Sequence, residues 1–179
     1  MKKLGMISLG CPKNAVDTEL VLGDLQGDEY EITPDQKEAD VIIVNTCGFI
    51  ESSKKESIDA ILEMAALKTE GKCKKLVVTG CLSERYSNEL LKEIPEIDHM
   101  LGVNQYPRLK QILKESDSRK ENTSINHVHE PAEYFESYMN RVLTTPFYSA
   151  YLKLGEGCSN KCAFCIIPKI RGQFRSRSP

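Results

Sequence analysis

The 179-residue sequence has no tryptophan, only three histidines, no long apolar run and a formal net charge of only -2. Nothing in it approaches the roughly 18 apolar residues of a membrane span, so a cytoplasmic protein is expected. No secretory leader is expected either. Lys2 and Lys3 precede an apolar stretch ending at Cys11, but the seven residues Leu4 to Gly10 are the bare minimum for a signal core, and no small-residue cleavage pattern precedes them. Cysteine is too scarce for a disulfide scaffold: seven residues are about 4%, against the roughly 8–10% of such scaffolds. An odd count also cannot pair off internally, so the thiols are read as reduced. What is present, 40% hydrophobic and 28% charged residues, describes one globular domain or slightly more. A chain of this size buries about 70% of its unfolded surface and needs neither disulfides nor metal to fold.

From Leu4 to about Glu115, short apolar runs alternate with amphipathic stretches, which predicts βα units on a parallel sheet. The strands fall at Leu4 to Leu9, Val41 to Asn45 and Lys75 to Thr79, with weaker ones at Tyr30 to Ile32 and His99 to Leu101. Helices are predicted over Ala15 to Leu25, Ser53 to Leu67, Glu84 to Ile94 and Pro107 to Lys114. In the second, Ile58, Ile61, Leu62 and Ala65 make the apolar stripe. Ser116 to Pro131 is polar and aperiodic and reads as a linker or surface loop. Beyond it, Tyr134, Phe135, Tyr138, Phe147, Tyr148 and Tyr151 hold half of the twelve aromatics and read as a packing seam rather than a base-stacking platform. Tyr148 to Leu154 reads as one more strand, followed by too few residues for a domain.

Cys11, Cys47 and Cys81 each follow one of the three clear strands at about one βαβ period, which puts them beyond the carboxyl edge of a parallel sheet, where ligands bind. Each adjoins a glycine and precedes a helix, whose N-terminus favours a thiolate. The plain alternative is three buried structural cysteines. Three in one topological slot favour a shared metal or cluster site. Cys73 follows a helix on the opposite side and is read as a structural or surface thiol. Cys158, Cys162 and Cys165 form C-x3-C-x2-C directly after the predicted strand. Three thiolates so close suit an iron–sulfur cluster with one iron left open. Structural zinc would want a fourth ligand, and none follows. His99, His127 and His129 lie far upstream and read as surface or loop residues. The tail from Asn160 carries Lys161, Lys169, Arg171, Arg175 and Arg177 and no acid. Five charges with only Phe164 and Phe174 among them do not support direct nucleic-acid contact, and the tail is read instead as serving loop structure or anionic groups near the cluster.

The C-x3-C-x2-C triplet with Phe164 before its last cysteine resembles the radical S-adenosylmethionine motif. The segments Ser8-Leu9-Gly10-Cys11-Pro12-Lys13-Asn14, Asn45-Thr46-Cys47-Gly48-Phe49-Ile50, Thr79-Gly80-Cys81, Glu156-Gly157-Cys158, Cys162-Ala163-Phe164-Cys165-Ile166-Ile167-Pro168 and Arg171-Gly172 resemble the methylthiotransferase family of that superfamily. Pro12-Lys13 after the first cysteine, where the tRNA-adenosine branch typically has Gln-Met, points to the branch that modifies an aspartate β-carbon in a small-subunit ribosomal protein. The resemblance implies an α/β fold: a methylthiotransferase domain over residues 1–115 with a parallel, flavodoxin-like sheet flanked by helices, a linker and aromatic seam over 116–146, and over 147–179 the first strand and cluster loop of a truncated, TIM-like radical S-adenosylmethionine barrel. It implies an auxiliary 4Fe-4S cluster on Cys11, Cys47 and Cys81, and a second 4Fe-4S cluster on Cys158, Cys162 and Cys165 that cleaves S-adenosylmethionine, with Phe164 near the adenine. One S-adenosylmethionine would then supply the methyl group and a second the hydrogen-abstracting radical. It also implies an electron donor such as flavodoxin or ferredoxin, and that these 179 residues alone are inactive. The alternatives are tRNA-adenosine methylthiotransferase and a non-enzymatic iron–sulfur or zinc module.

Overall fold

Val41–Thr46 and Lys75–Gly80 are nearly continuous β-branched and apolar runs, the pattern of strands covered on both faces. They form the centre of a six-stranded, fully parallel sheet in a computed structural model that describes residues 1–27, 29–117, 124–128 and 140–177. In chain order the elements are β1 Lys2–Ser8, α1 Pro12–Leu25, β2 Tyr30–Ile32, β3 Val41–Thr46, α2 Glu51–Glu70, β4 Lys75–Gly80, α3 Cys81–Glu93, β5 His99–Met100, α4 Leu109–Asp117 and β6 Ile125–Asn126. A small unit follows: β7 Gly155–Glu156, α5 Ile167–Arg171 and β8 Arg175–Ser176, with β7 and β8 antiparallel.

The sheet order is β2-β1-β3-β4-β5-β6. It reverses direction between β1 and β3, the switch point of a flavodoxin-like doubly wound sheet. The period of two sends Ile42, Val44, Leu76 and Val78 to one face and Val41, Ile43 and Val77 to the other. On the first face they pack on Ile61 and Met64 of α2 and Leu82 and Leu90 of α3. On the second they meet Val21 and Leu22 of α1 and Leu109, Ile112 and Leu113 of α4. Each such side chain contributes about 1.5–3 kcal/mol by leaving water. Cys73 is buried in the first layer, its S–H donating to the Lys75 carbonyl at 3.4 Å. Among the described residues no helix is long and apolar enough to cross a membrane.

The structure departs from the sequence reading in five places. Ile125–Asn126, inside the expected linker, pairs with β5 as the sixth strand, and Val128 joins the core; a two-residue strand is too short to show a period. The α2 face is turned: Ser57, Ile61, Met64 and Ala65 are buried, whereas Ile58 is 36% and Leu62 50% exposed. The turn brings Ser57 beneath the Cys47 loop, where it is fully buried. Tyr148 to Leu154 forms no strand, because among the described residues no neighbouring strand offers a ladder there; pairing begins at Gly155, opposite Ser176. Of the aromatic seam, positions 134, 135 and 138 lie outside the described residues, while Phe147 and Tyr148 are exposed and stack edge to face on each other. His99 is buried in β5, with Nε2 2.9 Å from Ser116 Oγ and its other ring nitrogen 3.4 Å from His127, rather than on the surface. Position 129 lies outside the described residues.

Candidate metal centre

The carboxyl ends of β1, β3 and β4 each turn through a glycine and a cysteine, and the glycines let the three turns touch. Gly10 has φ +93°, and a Cβ there would lie 2.7 Å from Cys47 Cβ and 2.9 Å from its sulfur. A Cβ on Gly48 would lie 2.8 Å from Leu82 Cα and 2.9 Å from the Cys81 carbonyl. The first cysteine turn is thus pressed on the second, and the second on the third. Cys11 caps the N-terminus of α1 in extended conformation, with Pro12 in the first helical turn. Cys81 is the first residue of α3. Cys47 stands in the loop before α2, its N–H donating to Ser57 Oγ at 2.9 Å and its carbonyl accepting the Ser57 hydroxyl at 3.0 Å. Cys11 is exposed, and Cys47 and Cys81 are buried.

Asn14, 1% exposed, ties these turns together. Its Nδ2 donates to the Leu9 carbonyl at 2.8 Å and the Thr46 carbonyl at 2.9 Å, just upstream of Cys11 and Cys47. Its Oδ1 accepts from the Cys81 thiol at 3.9 Å and from Arg171. Asn45 locks the helix from the other side, donating to the Asn14 carbonyl and to Thr18 Oγ1, both at 3.0 Å. Burial pushes the Cys81 thiol pKa up, Arg171 pulls it down, and Cys47 and Cys11 are near enough to push it up further.

Cys158, Cys162 and Cys165 occupy the loop between β7 and α5. Its neck is closed by the β7–β8 pair and by bonds from Cys158 N–H to the Gly172 carbonyl at 3.0 Å and from Phe174 N–H to Ser159 Oγ at 3.1 Å. Cys165 N–H turns back to the Cys162 carbonyl at 3.1 Å. Cys162 is exposed and Cys158 and Cys165 half-buried. Phe164 is 94% exposed.

Both cysteine sets meet at α1. Arg171 Nη1 donates to Asp17 Oδ2 at 3.2 Å and Glu156 Oε2 at 2.9 Å, and Nη2 to Asn14. Lys153 pairs with Asp17, and with Glu156 Oε2 at 2.8 Å. Lys13, also on α1, donates to the Gly155 carbonyl at 2.7 Å. Burial alone would raise the Glu156 carboxyl, but Arg171 and Lys153 hold it down at about 2. Burial opposes the Arg171 charge, and Asp17 together with the other acidic groups around it, Glu156 among them, more than restores it. Two residues beyond Asp17 on α1, the fully buried Glu19 accepts from Arg141, from Thr144 N–H at 2.8 Å and from Thr144 Oγ1 at 2.9 Å. Asp17 and Glu19 escape a sequence reading, because a buried acid inside a helix looks like its solvated face. Asn14 and Glu156 enter that reading only as parts of motifs, Arg171 as part of a motif and of the basic tail, and Ser57 only as one position within the predicted second helix.

Among the described residues, no three His, Cys, Asp or Glu side chains gather closely enough to hold a single metal ion. A cluster makes a different demand, since each thiolate binds a separate iron and the sulfurs stand wider apart. The donor set suits one: soft sulfur ligands, two of them at helix N-termini, with few competing oxygens. Within electrostatic reach of Cys81, the Tyr106 hydroxyl is buried with no hydrogen-bond partner among the described residues, a donor suited to cluster sulfur.

These features define a doubly wound α/β domain carrying three thiol-bearing turns at its switch point, docked through one helix to a second cysteine loop. The chain belongs to the family described as Uncharacterized protein family UPF0004, whose model matches residues 3–102. It is 51% identical over 176 residues to the ribosomal protein uS12 methylthiotransferase RimO of Geobacter sulfurreducens, 55% over 177 residues to that of Clostridium botulinum, and 52% over 178 residues to that of Clostridioides difficile. These alignments cover 98–99% of the chain and 39% of each relative.

Proposed function

We propose that the chain is the cluster-bearing part of a methylthiotransferase that modifies an aspartate β-carbon of ribosomal protein uS12, the substrate class in its relatives' names. The observation that carries this reading is the packing of the Cys11, Cys47 and Cys81 turns at one sheet edge, tied through Asn14 and Arg171 to the Cys158 loop. In this reading Cys11, Cys47 and Cys81 hold one 4Fe-4S cluster, and Cys158, Cys162 and Cys165 hold another. Bound there, the clusters supply sulfur for transfer and reductive cleavage of S-adenosylmethionine, driven by a one-electron donor such as flavodoxin or ferredoxin.

The chain's own residues do the positioning. Ser57 pins the Cys47 backbone, Gly10 and Gly48 bring the turns into contact, and Asn14 spaces them. In this reading Phe164, beside Cys165, stacks on the adenine of the bound S-adenosylmethionine. It and Phe174 stand open to water here, 94% and 59% exposed. Radical chemistry needs a dry cavity, so these 179 residues by themselves form no 5′-deoxyadenosine.

Anaerobic reconstitution with iron counting tests the reading. The chain should bind about eight irons, falling to about four when Cys11, Cys47 and Cys81 are replaced by alanine. Stoichiometric zinc in place of iron overturns it. For the substrate, a longer enzyme containing this sequence should modify uS12, and modification of tRNA instead would refute that assignment.

A further inference from the structure

Arg171 is 2% exposed, six residues beyond Cys165, and its guanidinium crosses from α5 to α1. There it serves three acceptors on two elements, Asn14 Oδ1 and Asp17 Oδ2 of α1 and Glu156 Oε2 of β7. Only a rigid, multi-donor fork can do this, because an ammonium is a point charge on a flexible stem. Asn14 in turn touches the Cys81 sulfur and holds the carbonyls leading into Cys11 and Cys47. Arg171 therefore ends one bond away from all three cysteine turns, while its backbone belongs to the second cysteine loop. Its charge also acts on the Cys81 thiol through a water-poor interior and pulls that thiol's pKa down. Lys153, Asp17 and Glu156 complete a buried set with two positive and two negative charges, and the half-exposed Lys13 lies 3.6 Å from Glu156 Oε1 at its rim, so the arginine is balanced without being exposed.

We infer that Arg171 is a positioning residue that docks the Cys158 loop onto the edge carrying Cys11, Cys47 and Cys81, and makes the group bound at that edge easier to reduce. This rests on the two-cluster reading above. Hydrogen bonds and positive charge delivered to a ligand sulfur favour the reduced, more negative form of an iron–sulfur cluster. One side chain then sets both the relation of the two sites and the electron affinity of one of them.

The test isolates the first site by replacing Cys158, Cys162 and Cys165 with alanine in the chain. After anaerobic reconstitution, the remaining cluster is titrated reductively and followed by electron paramagnetic resonance. Arg171→Met should disfavour reduction roughly tenfold, a shift of about 59 mV to more negative potential for one electron. Arg171→Lys, which keeps the charge and loses the fork, should fall between. Arg171→Met strands Asp17 and Glu156, so the paired variant Arg171→Met with Asp17→Asn, which removes one charge of each sign, is measured beside it. It should shift in the same direction, and it decides the matter if the single variant does not fold by circular dichroism. As a readout without iron, trypsin should cut after Lys161 and Lys169 faster in either variant of the otherwise unaltered chain. An unchanged potential in a folded, iron-loaded variant overturns this inference and leaves the two-cluster reading standing. A parent chain that takes up no iron overturns both.

Discussion

Gly10 shows how much depends on one missing side chain. At φ +93° an L-residue is strained, and the Cβ it would add collides with Cys47. Gly10→Ala should cost about 1–3 kcal/mol in denaturant unfolding and also lower iron uptake, because the collision displaces a candidate ligand; normal uptake with normal stability would refute the packing. Ser57→Ala leaves the buried Cys47 N–H without a partner and should cost about 1–3 kcal/mol by the same measurement. A reader of the sequence sees Gly10 beside Cys11 and expects close approach there. That Ser57 is the partner of Cys47 is invisible, since serine has many uses on a helix and the contact spans ten residues.

Among the elements, β3 and β4 were legible almost to the residue because strands covered on both faces leave little room for polar residues. Helix α2 was legible as a helix and not as a face. Its apolar residues form two stripes one position apart, and the hydrogen bonds of Ser57 select the one containing Ile61 and Met64. Ile61→Ala should therefore cost about 2–5 kcal/mol, whereas Leu62→Ala should stay within about 0.5 kcal/mol. Urea unfolding of the two variants tests the face, and comparable large losses at both positions would return α2 to the stripe read from sequence, which holds Ile61 and Leu62 alike. The two-residue strands β6, β7 and β8 carry too few residues to show a period, and they exist only because a neighbour offers a ladder.

At the scale of the molecule, α1 serves both parts of the chain, covering the sheet with Val21 and Leu22 and receiving the second cysteine segment through Asn14, Asp17 and Glu19. Burial would raise the Glu19 carboxyl, yet the Thr144 N–H, Arg141 and the Thr144 hydroxyl bring it below its usual 4.5. A carboxyl with a lowered folded-state pKa stabilises fully above its unfolded value, and that contribution is lost as pH falls from about 4.5 through the folded value. Segment 140–145 should thus stay docked at neutral pH and detach in acid, seen as proteolysis after Arg141 that accelerates below about pH 4.5. Glu19→Gln should show the fast cleavage already at pH 7; equal rates at both pH values in the unsubstituted chain would exclude the docking role.

Strand positions, the parallel class and the placing of three cysteines beyond strand ends are properties of local pattern, because periodicity and residue type act within a few residues. Folding alone decided that Asn14 would join three separate turns, that Arg171 would leave the basic tail for the interior, and that Asp17 and Glu156 would be buried to meet it. Those choices depend on which distant groups share a water-poor space, where a charge is tolerated only beside its opposite.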